Sequence, residues 1–449
     1  MKALLSSLDK IFGPAQGLRA QLVRSTVGSL LIKGGYVLLQ FTAGVVLARA
    51  LRPEGLGVYA YALAMVNLLV IPAQFGFAGY LVRMAAIYRA DEKWGMLKGL
   101  LSRSSQVVLL VSLVIASLAF ILIDFAELVP ADMSSQPLLL ALVLLPFLAL
   151  LEVNSGALRG LGHVVIGQLP SQILRPALFL FTLAVMAVVL PSFSPEHAIG
   201  ANVVATSIAL GAGLLLLSRH IPQASRNTRV ETASTEWLRG SLPFMLLAGT
   251  QVINHQTDVL MLGILTAPDQ VGLYRVAVQI ADGMGLVLLA ITAVITPHLA
   301  SLHASGNRRT LQRLLVNSHR AGVSMLLPIA LLLITFGARF LAVVFGHDYT
   351  EAANALTILA LGKAVFATVG FSGVALSMFG RAWAATVVTG LTAILNVILN
   401  LILIPFMGIE GAALATAVSG FVVALGCIAW MRRIYGYDFS FLGREKRLG

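Results

Sequence analysis

Charge is what this sequence most lacks. Only 11% of its 449 residues are Asp, Glu, Lys or Arg, while 58% are hydrophobic and the mean hydropathy is +0.90. A soluble domain carries about 25% charged residues, so this scarcity excludes a soluble globular fold. Cysteine is almost absent as well. The single Cys427 lies in an apolar run, which rules out a disulfide within the chain and a cysteine metal cluster. The N-terminal MKALLSSLDKIFGPAQ has no sustained apolar run and no small-residue cleavage site, so no cleaved signal peptide is expected. That segment suits a short amphipathic helix lying on a membrane surface. Residues outside the apolar runs are too few for a separate soluble domain.

What the chain has in abundance is apolar stretches of about 20 residues, the length of a bilayer-crossing helix. They are apolar on every face, which excludes the alternating pattern of a membrane barrel. Helices are predicted near 26–50, 57–83, 100–123, 136–158, 164–190 and 197–217, and again near 241–265, 271–299, 314–336, 352–376, 382–404 and 410–431. The expected fold is therefore all-α: a polytopic membrane protein of twelve transmembrane helices.

The net charge of +12 is explained by position rather than by nucleic acid. Alternate loops collect Lys2, Lys10, Arg19, Arg24, Arg83, Arg89, Lys93, Lys98, Arg103 and Arg159. The same side holds Arg219, Arg226, Arg229, Arg239, Arg308, Arg309, Arg313, Arg381, Arg432, Arg433, Arg444, Lys446 and Arg447. The opposite loops carry Arg49, Arg52 and Arg339 but also Glu54, Asp124, Glu127, Asp132, Glu196, Asp269, Asp348, Glu351 and Glu410. By the positive-inside rule both termini are cytoplasmic. The expected organisation is a cytoplasmic segment (1–25), a six-helix half (26–217), a cytoplasmic linker (218–240), a second six-helix half (241–431) and a cytoplasmic tail (432–449).

The two halves repeat one another. RPEGLGVYAYALA (Arg52–Ala64) is echoed by TAPDQVGLYRVAVQ (Thr266–Gln279), with Pro53, Glu54, Gly57 and Tyr59 matching Pro268, Asp269, Gly272 and Tyr274. LKGLLSRSS (97–105) matches LQRLLVNSH (311–319), ALRGLGH (157–163) matches ALSMFGR (375–381), and IGANVVATSIA (199–209) matches EGAALATAVSG (410–420). Four echoes in one order indicate duplication. Six helices per half keep both copies in the same orientation, a parallel-repeat transporter architecture with substrate bound near midplane between the halves.

Most loops are short, so any chemistry sits within the helices. Lys33, Glu152, Arg175, Asp258, Arg275, Asp282 and Lys363 all fall inside predicted spans. Each such charge costs about 2.5–3.5 kcal/mol at the bilayer centre, so they are expected to line a wet interior or pair. Gln251, His255 and Asp258 recur at i, i+4, i+7, as do Arg275, Gln279 and Asp282, and Gln168, Gln172 and Arg175. Gln40, Asn67 and Asn396 add polar positions on further helices, with Gln40 equivalent to His255 and Asn67 to Asp282 in the repeat. Such amides serve equally as glue between helices.

Lys33 and Arg275 lie close enough to a span end to snorkel; Arg175 and Lys363 lie near midspan and are expected to face a lumen. The cavity-lining polar set is then Gln40, Asn67, Gln251, Gln279 and Asn396. Glu152, His255, Asp258 and Asp282 are read as counterions or as proton or Na+ coupling groups. His255 and Asp258 alone do not define a metal site, and no other cofactor is expected. Four interior bases against three acids make a cationic cavity, which attracts an anion such as phosphate.

At this point the residues resemble a known family. LARALRPEGLGVYAYALAMVNLLVIPAQFGF (47–77) is similar to the first-to-second-helix region of Wzx-type oligosaccharide flippases of the multidrug/oligosaccharidyl-lipid/polysaccharide (MOP) exporter superfamily. NHQTDVLMLGILTAPDQVGLYRVA (254–277) resembles the seventh-to-eighth-helix segment, with Asp258, Leu262, Gly263, Gly272 and Tyr274 at the family positions. The resemblance implies translocation of an undecaprenyl-pyrophosphate-linked oligosaccharide from the cytoplasmic to the periplasmic leaflet of a bacterial inner membrane. The route is alternating access, for O-antigen, lipopolysaccharide or exopolysaccharide synthesis. Implied partners are the lipid-linked oligosaccharide, membrane lipids and other polysaccharide assembly proteins.

Two other classes stay open. A cation-coupled multidrug exporter of the same superfamily would favour an acidic cavity. A membrane glycan polymerase or ligase would carry a substantial outward loop with catalytic residues; the outward loops here are short and no catalytic residue is expected.

Overall fold

The computed structural model describes residues 18–125, 133–189, 192–226, 228–379 and 382–435, and among them there is no strand. Absence of polar side chains along the runs leaves the backbone to satisfy itself, and in a bilayer that selects helices. The helices are α1 (Leu18–Gln74), α2 (Phe77–Ala90), α3 (Trp94–Phe125), α4 (Ser135–Leu142), α5 (Leu144–Gly160) and α6 (Val164–Leu169). A π-helical turn, Pro170–Leu174, then leads into α7 (Arg175–Val189), followed by α8 (Pro195–His220) and the short α9 (Gln223–Arg226). The second half comprises α10 (Ser234–Leu265), α11 (Pro268–Ala304), α12 (Arg308–Val344), α13 (Ala353–Ala367), α14 (Phe371–Met378) and α15 (Ala382–Tyr435).

Among the described residues eight helices are long and apolar enough to cross a membrane, or nine if the pair on either side of a 43° bend at 368–370 counts as one. Two of the eight are not single crossings, because α1 breaks at Arg52 (φ 56°, ψ 177°) and α15 at Gly408 (φ 56°, ψ −129°). Gly411 touches the carbonyl of Leu403, a contact that eight residues of straight helix forbid, so α15 reverses there. Likewise Gly28 lies on Val165 and Gly76 on Ser241 at one end of the molecule, while Pro53 and Gly57 lie at the other. The proline after Arg52 has no N–H to lose and suits the first position of the returning helix. The expected seventh crossing, α10, is long enough but is not among the eight, because Gln251, His255 and Asp258 interrupt its apolar run.

Helices α1–α8 make up the first bundle and α10–α15 the second, and the two pack together chiefly through α1 and α11. The repeated phrases meet at one end. A methyl group on Gly57 would fall 1.7 Å from the Pro268 carbonyl oxygen, and one on Gly272 would fall 1.9 Å from that of Pro53. Around this contact Arg49 donates from Nε to the Val344 carbonyl (2.9 Å) and from a second guanidinium nitrogen to that of Val343 (2.5 Å). Tyr349 donates to the Ala48 carbonyl at 2.9 Å. This sealed end joins the bundles through backbone contacts that admit no side chain.

The opposite end carries the basic loops. Between the bundles the chain is docked rather than free. The Glu231 N–H donates to the Gly95 carbonyl (3.2 Å), and the buried Trp237 indole donates to the Tyr88 hydroxyl (3.0 Å). The expected surface helix within 1–17, together with Lys2, Lys10, Glu127, Asp132, Arg381, Arg444, Lys446 and Arg447, lies outside the described residues.

Candidate functional site

A cavity of about 230 Å³ lies between the bundles, just inside the sealed end. From the first bundle come Tyr36 and Gln40 of α1 before its break, Tyr59 after it, Arg175 of α7 and Asn202 of α8. From the second come Arg275, Gln279 and Asp282, three positions of one face of α11. The cavity thus takes one arginine from each bundle.

Local structure explains how Arg175 is presented. The π turn Pro170–Leu174 ends where Arg175 begins, and Pro176 follows it. Both prolines lack an N–H, so the helix loses two of its ladder bonds around this point and widens by one residue. Such bulges re-aim side chains at functional sites. Arg275 comes two turns after the Pro268 start of α11, and its half-buried side chain reaches the same space.

The neutral groups fix the helices that carry these charges. Gln279 donates to the carbonyls of Phe41 (3.0 Å) and Gln40 (3.4 Å), its amide filling the space left by the missing side chain of Gly44. Gln40 donates to the Tyr36 hydroxyl at 2.9 Å. Asn202 donates to the Tyr59 hydroxyl at 3.1 Å. The Asp282 carboxylate accepts from Lys363 Nζ of α13 at 3.0 Å. Lys363 is therefore the partner of a lining acid, not a lining residue. With Asp282 so paired, Arg175 and Arg275 set the sign of the cavity, which is cationic.

Asp258 belongs to a different place. Its side chain is buried inside the second bundle and accepts from Tyr274 (2.8 Å), Asn400 (2.7 Å) and Thr416. Asn400 also donates to the side chain (3.1 Å) and carbonyl (3.0 Å) of Asn396, and Asn396 donates to Ser419 at 3.3 Å. Every partner of the carboxylate is neutral, so Asp258 is not the counterion of Arg175 or Arg275. Asn396 joins this cluster and not the cavity.

The remaining sequence candidates stand apart from the cavity wall. Lys33, Asn67 and Glu152 are half-buried elsewhere on their helices, and Gln251 and His255 are exposed on α10 while Asp258, on the same expected stripe, is buried. Sequence reasoning missed Tyr36, Tyr59 and Asn202. A signal for the two tyrosines was present: Tyr36 is one turn from Gln40, and Tyr59 is the repeat partner of Tyr274. Each repeat tyrosine is buried, and each bonds a polar side chain, Tyr59 with Asn202 and Tyr274 with Asp258.

Helical bundles packed around a polar cavity give the chain the fold of solved MOP-superfamily transporters. The inward-facing form of a MATE-family multidrug transporter superposes with TM-score 0.75 at 16% identity, covering 89% of this chain and 95% of that one. The lipid II flippase MurJ, in an inward closed form, superposes with TM-score 0.72 at 14% identity, covering 91% and 87%. Residues 22–303 match the polysaccharide biosynthesis protein family, and residues 214–442 match the lipid II flippase MurJ family. The chain belongs to the polysaccharide biosynthesis protein family, and the flippases it matches are transporters rather than enzymes. The probable low-salt glycan biosynthesis flippase Agl15 of Haloferax volcanii is 32% identical over 165 residues, 36% of this chain and 34% of that protein. The chain thus spans about a third of the length of that curated relative.

Proposed function

We propose that the protein flips a lipid-linked oligosaccharide whose headgroup is anionic, an undecaprenyl-pyrophosphate-linked glycan, from the cytoplasmic to the periplasmic leaflet of a bacterial inner membrane. The observation that carries this reading is the meeting of Arg175 and Arg275, one from each bundle, in one cavity. Two guanidinium groups in a low-dielectric space bind a diphosphate through charge-assisted, paired hydrogen bonds and disfavour a cationic drug. The match to a polysaccharide biosynthesis family and to a glycan biosynthesis flippase supports a glycan substrate.

In this reading the basic end faces the cytoplasm by the positive-inside rule. The sealed end then faces the periplasm, and the cavity loads from the cytoplasm. Binding the headgroup brings the arginines of both bundles onto one ligand, and the bundles then rock to part Gly57 from Gly272. The lipid tail stays in the bilayer throughout. O-antigen, lipopolysaccharide or exopolysaccharide repeat units are the products such a step serves, alongside other polysaccharide assembly proteins.

The Asp258 cluster supports a coupling role for that carboxylate. It is buried, faces only neutral donors, and is surrounded by amide and hydroxyl oxygens suited to an incoming proton or Na+. The cluster touches α11 through Tyr274, one residue before Arg275, so occupancy there is mechanically linked to the cavity.

The test is leaflet transfer in proteoliposomes of a short polyprenyl-pyrophosphate-linked sugar. Transfer that requires the pyrophosphate and is lost in both Arg175→Gln and Arg275→Gln is expected. Equal transfer of a cationic amphiphile, or transfer unchanged in both variants, would favour the drug-exporter reading instead.

A further inference from the structure

The outer wall of the first bundle carries a second pocket, separate from the cavity between the bundles. At the basic end, where α3 begins and α8 finishes, Lys98, Ser102, Ser218 and Arg219 gather with Ser225 of α9 around a space of about 580 Å³. Two cations and three hydroxyls line it, and among the described residues no carboxylate does. Its walls are fastened: the buried Ser225 donates to the Trp94 carbonyl at 3.4 Å, and Lys98 donates to that of Thr228 at 3.3 Å. The linker between the bundles therefore forms one side of the pocket.

Deeper in the same wall lies a groove of about 670 Å³. Its lining is apolar apart from Ser117, and includes Leu109, Leu113 and Phe120 of α3, Phe147 of α5 and Leu210 of α8. At 3.6 residues per turn, Lys98, Ser102, Leu109, Leu113 and Phe120 fall within an arc of about 60° on α3. A single helix face thus changes from cationic and hydroxylic at the membrane interface to apolar within the membrane. From Leu109 to Phe120 it runs for about 16 Å, comparable to an acyl chain lying along the helix.

We propose that this wall holds one anionic phospholipid of the bilayer. Its phosphate sits against Lys98, Arg219 and the Ser102 hydroxyl, and one acyl chain lies along Leu109, Leu113 and Phe120. Basic pockets between helices at a membrane interface recognise anionic headgroups in this way. The apolar groove on the same face is what separates a lipid from free phosphate as the occupant. Because the linker closes the pocket, the bound lipid ties the end of the first bundle to the segment that leads into the second.

The experiment uses the full chain purified in a neutral detergent. Dioleoylphosphatidylglycerol, dioleoylphosphatidylcholine or inorganic phosphate is added, with native mass spectrometry and thermal melting as readouts. The proposal expects one phosphatidylglycerol bound at least tenfold more tightly than phosphatidylcholine, a raised melting temperature, and no effect of phosphate alone. Arg219→Gln weakens phosphatidylglycerol about fivefold, the worth of one interfacial cation. Leu113→Trp fills the groove from an exposed position and weakens binding without lowering the lipid-free melting temperature. Equal affinity for the two lipids, protection by phosphate alone, or unchanged affinity in both variants would overturn it.

Discussion

Gly57 and Gly272, equivalent residues of the two repeats, pack backbone to backbone across the boundary between the bundles. A side chain on either would collide with the carbonyl of the proline that opens the other's helix, at 1.7 and 1.9 Å. The repeated phrase therefore has a structural purpose in each copy, and its two copies are each other's partner. Contact this close forms only when both residues are glycine. Gly272→Leu should force the sealed end apart, at an overpacking cost of about 1–3 kcal/mol. The measurement is maleimide labelling of Val37→Cys in the cavity wall, in a Cys427→Ser background. The labelling rate from the sealed-end side should rise in Gly272→Leu.

Arg175 and Arg275 come from different bundles to one cavity, so each should matter alone. Hydrogen bonds to charged groups contribute about 1.5–3 kcal/mol, so Arg175→Gln and Arg275→Gln should each reduce transport roughly tenfold to a hundredfold. Protein level in the membrane should not change. Arg→Lys at either position should restore only part of the activity, because an ammonium does not reproduce paired donation to a phosphate. Surface glycan display with quantified expression is the readout.

The Lys363–Asp282 pair predicts a coupling between two variants. Both side chains are partly exposed, at 29% and 46%, so the pair contributes only about 0.2–1 kcal/mol to stability. Its effect on function is larger. Lys363→Met leaves an unpaired carboxylate beside Arg275, whereas the double variant with Asp282→Asn restores the balance. Transport should fall in the single variant and recover in the double.

At Asp258 the expected outcome concerns ion dependence. Asp258→Asn keeps a side chain of the same shape among Tyr274, Asn400 and Thr416 but removes the charge. The variant should still be inserted and bind the lipid-linked sugar, while transport loses its dependence on an imposed Na+ or proton gradient. Gradient-dependent transport that persists in the variant would remove Asp258 from the coupling role.

His163 makes a prediction about pH and stability. It lies in the basic-end turn after α5, with the His220 ring 4.4 Å away and Arg89 nearby. Burial, then the neighbouring His220 and Arg89, hold its pKa below the ordinary histidine value. The unfolded chain then binds more protons in the window between the depressed and ordinary values. The stabilisation is complete above about pH 6.5 and is lost as pH falls through that window. Melting temperature should drop across it, and His163→Gln should flatten the drop.

Much of this was legible in the sequence because it rests on local pattern. Apolar runs, Pro-Gly punctuation and the repeated phrase indicated helices, their breaks and the duplication. The i, i+4, i+7 stripe of Arg275, Gln279 and Asp282 correctly marked one face of α11, because a straight helix preserves that geometry. Which helices face one another was not legible. Asp258 shares a stripe with Gln251 and His255, yet it turns into the second bundle toward Thr416, a partner 158 residues away. Lys363 stands behind Asp282 for the same reason: pairing across helices depends on packing that a single periodicity does not encode. The π turn before Arg175 was likewise hidden, although Pro170 and Pro176 are the cause of it.

The central claim is that the two arginines act together on an anionic headgroup. It is tested most directly by pyrophosphate-dependent leaflet transfer in proteoliposomes, comparing wild type with Arg175→Gln, Arg275→Gln and the double variant. The account predicts transfer reduced roughly tenfold to a hundredfold in each single variant, with the double variant little worse than either because both hold the same group. Full transfer by either single variant, or transfer that ignores the pyrophosphate, would contradict it.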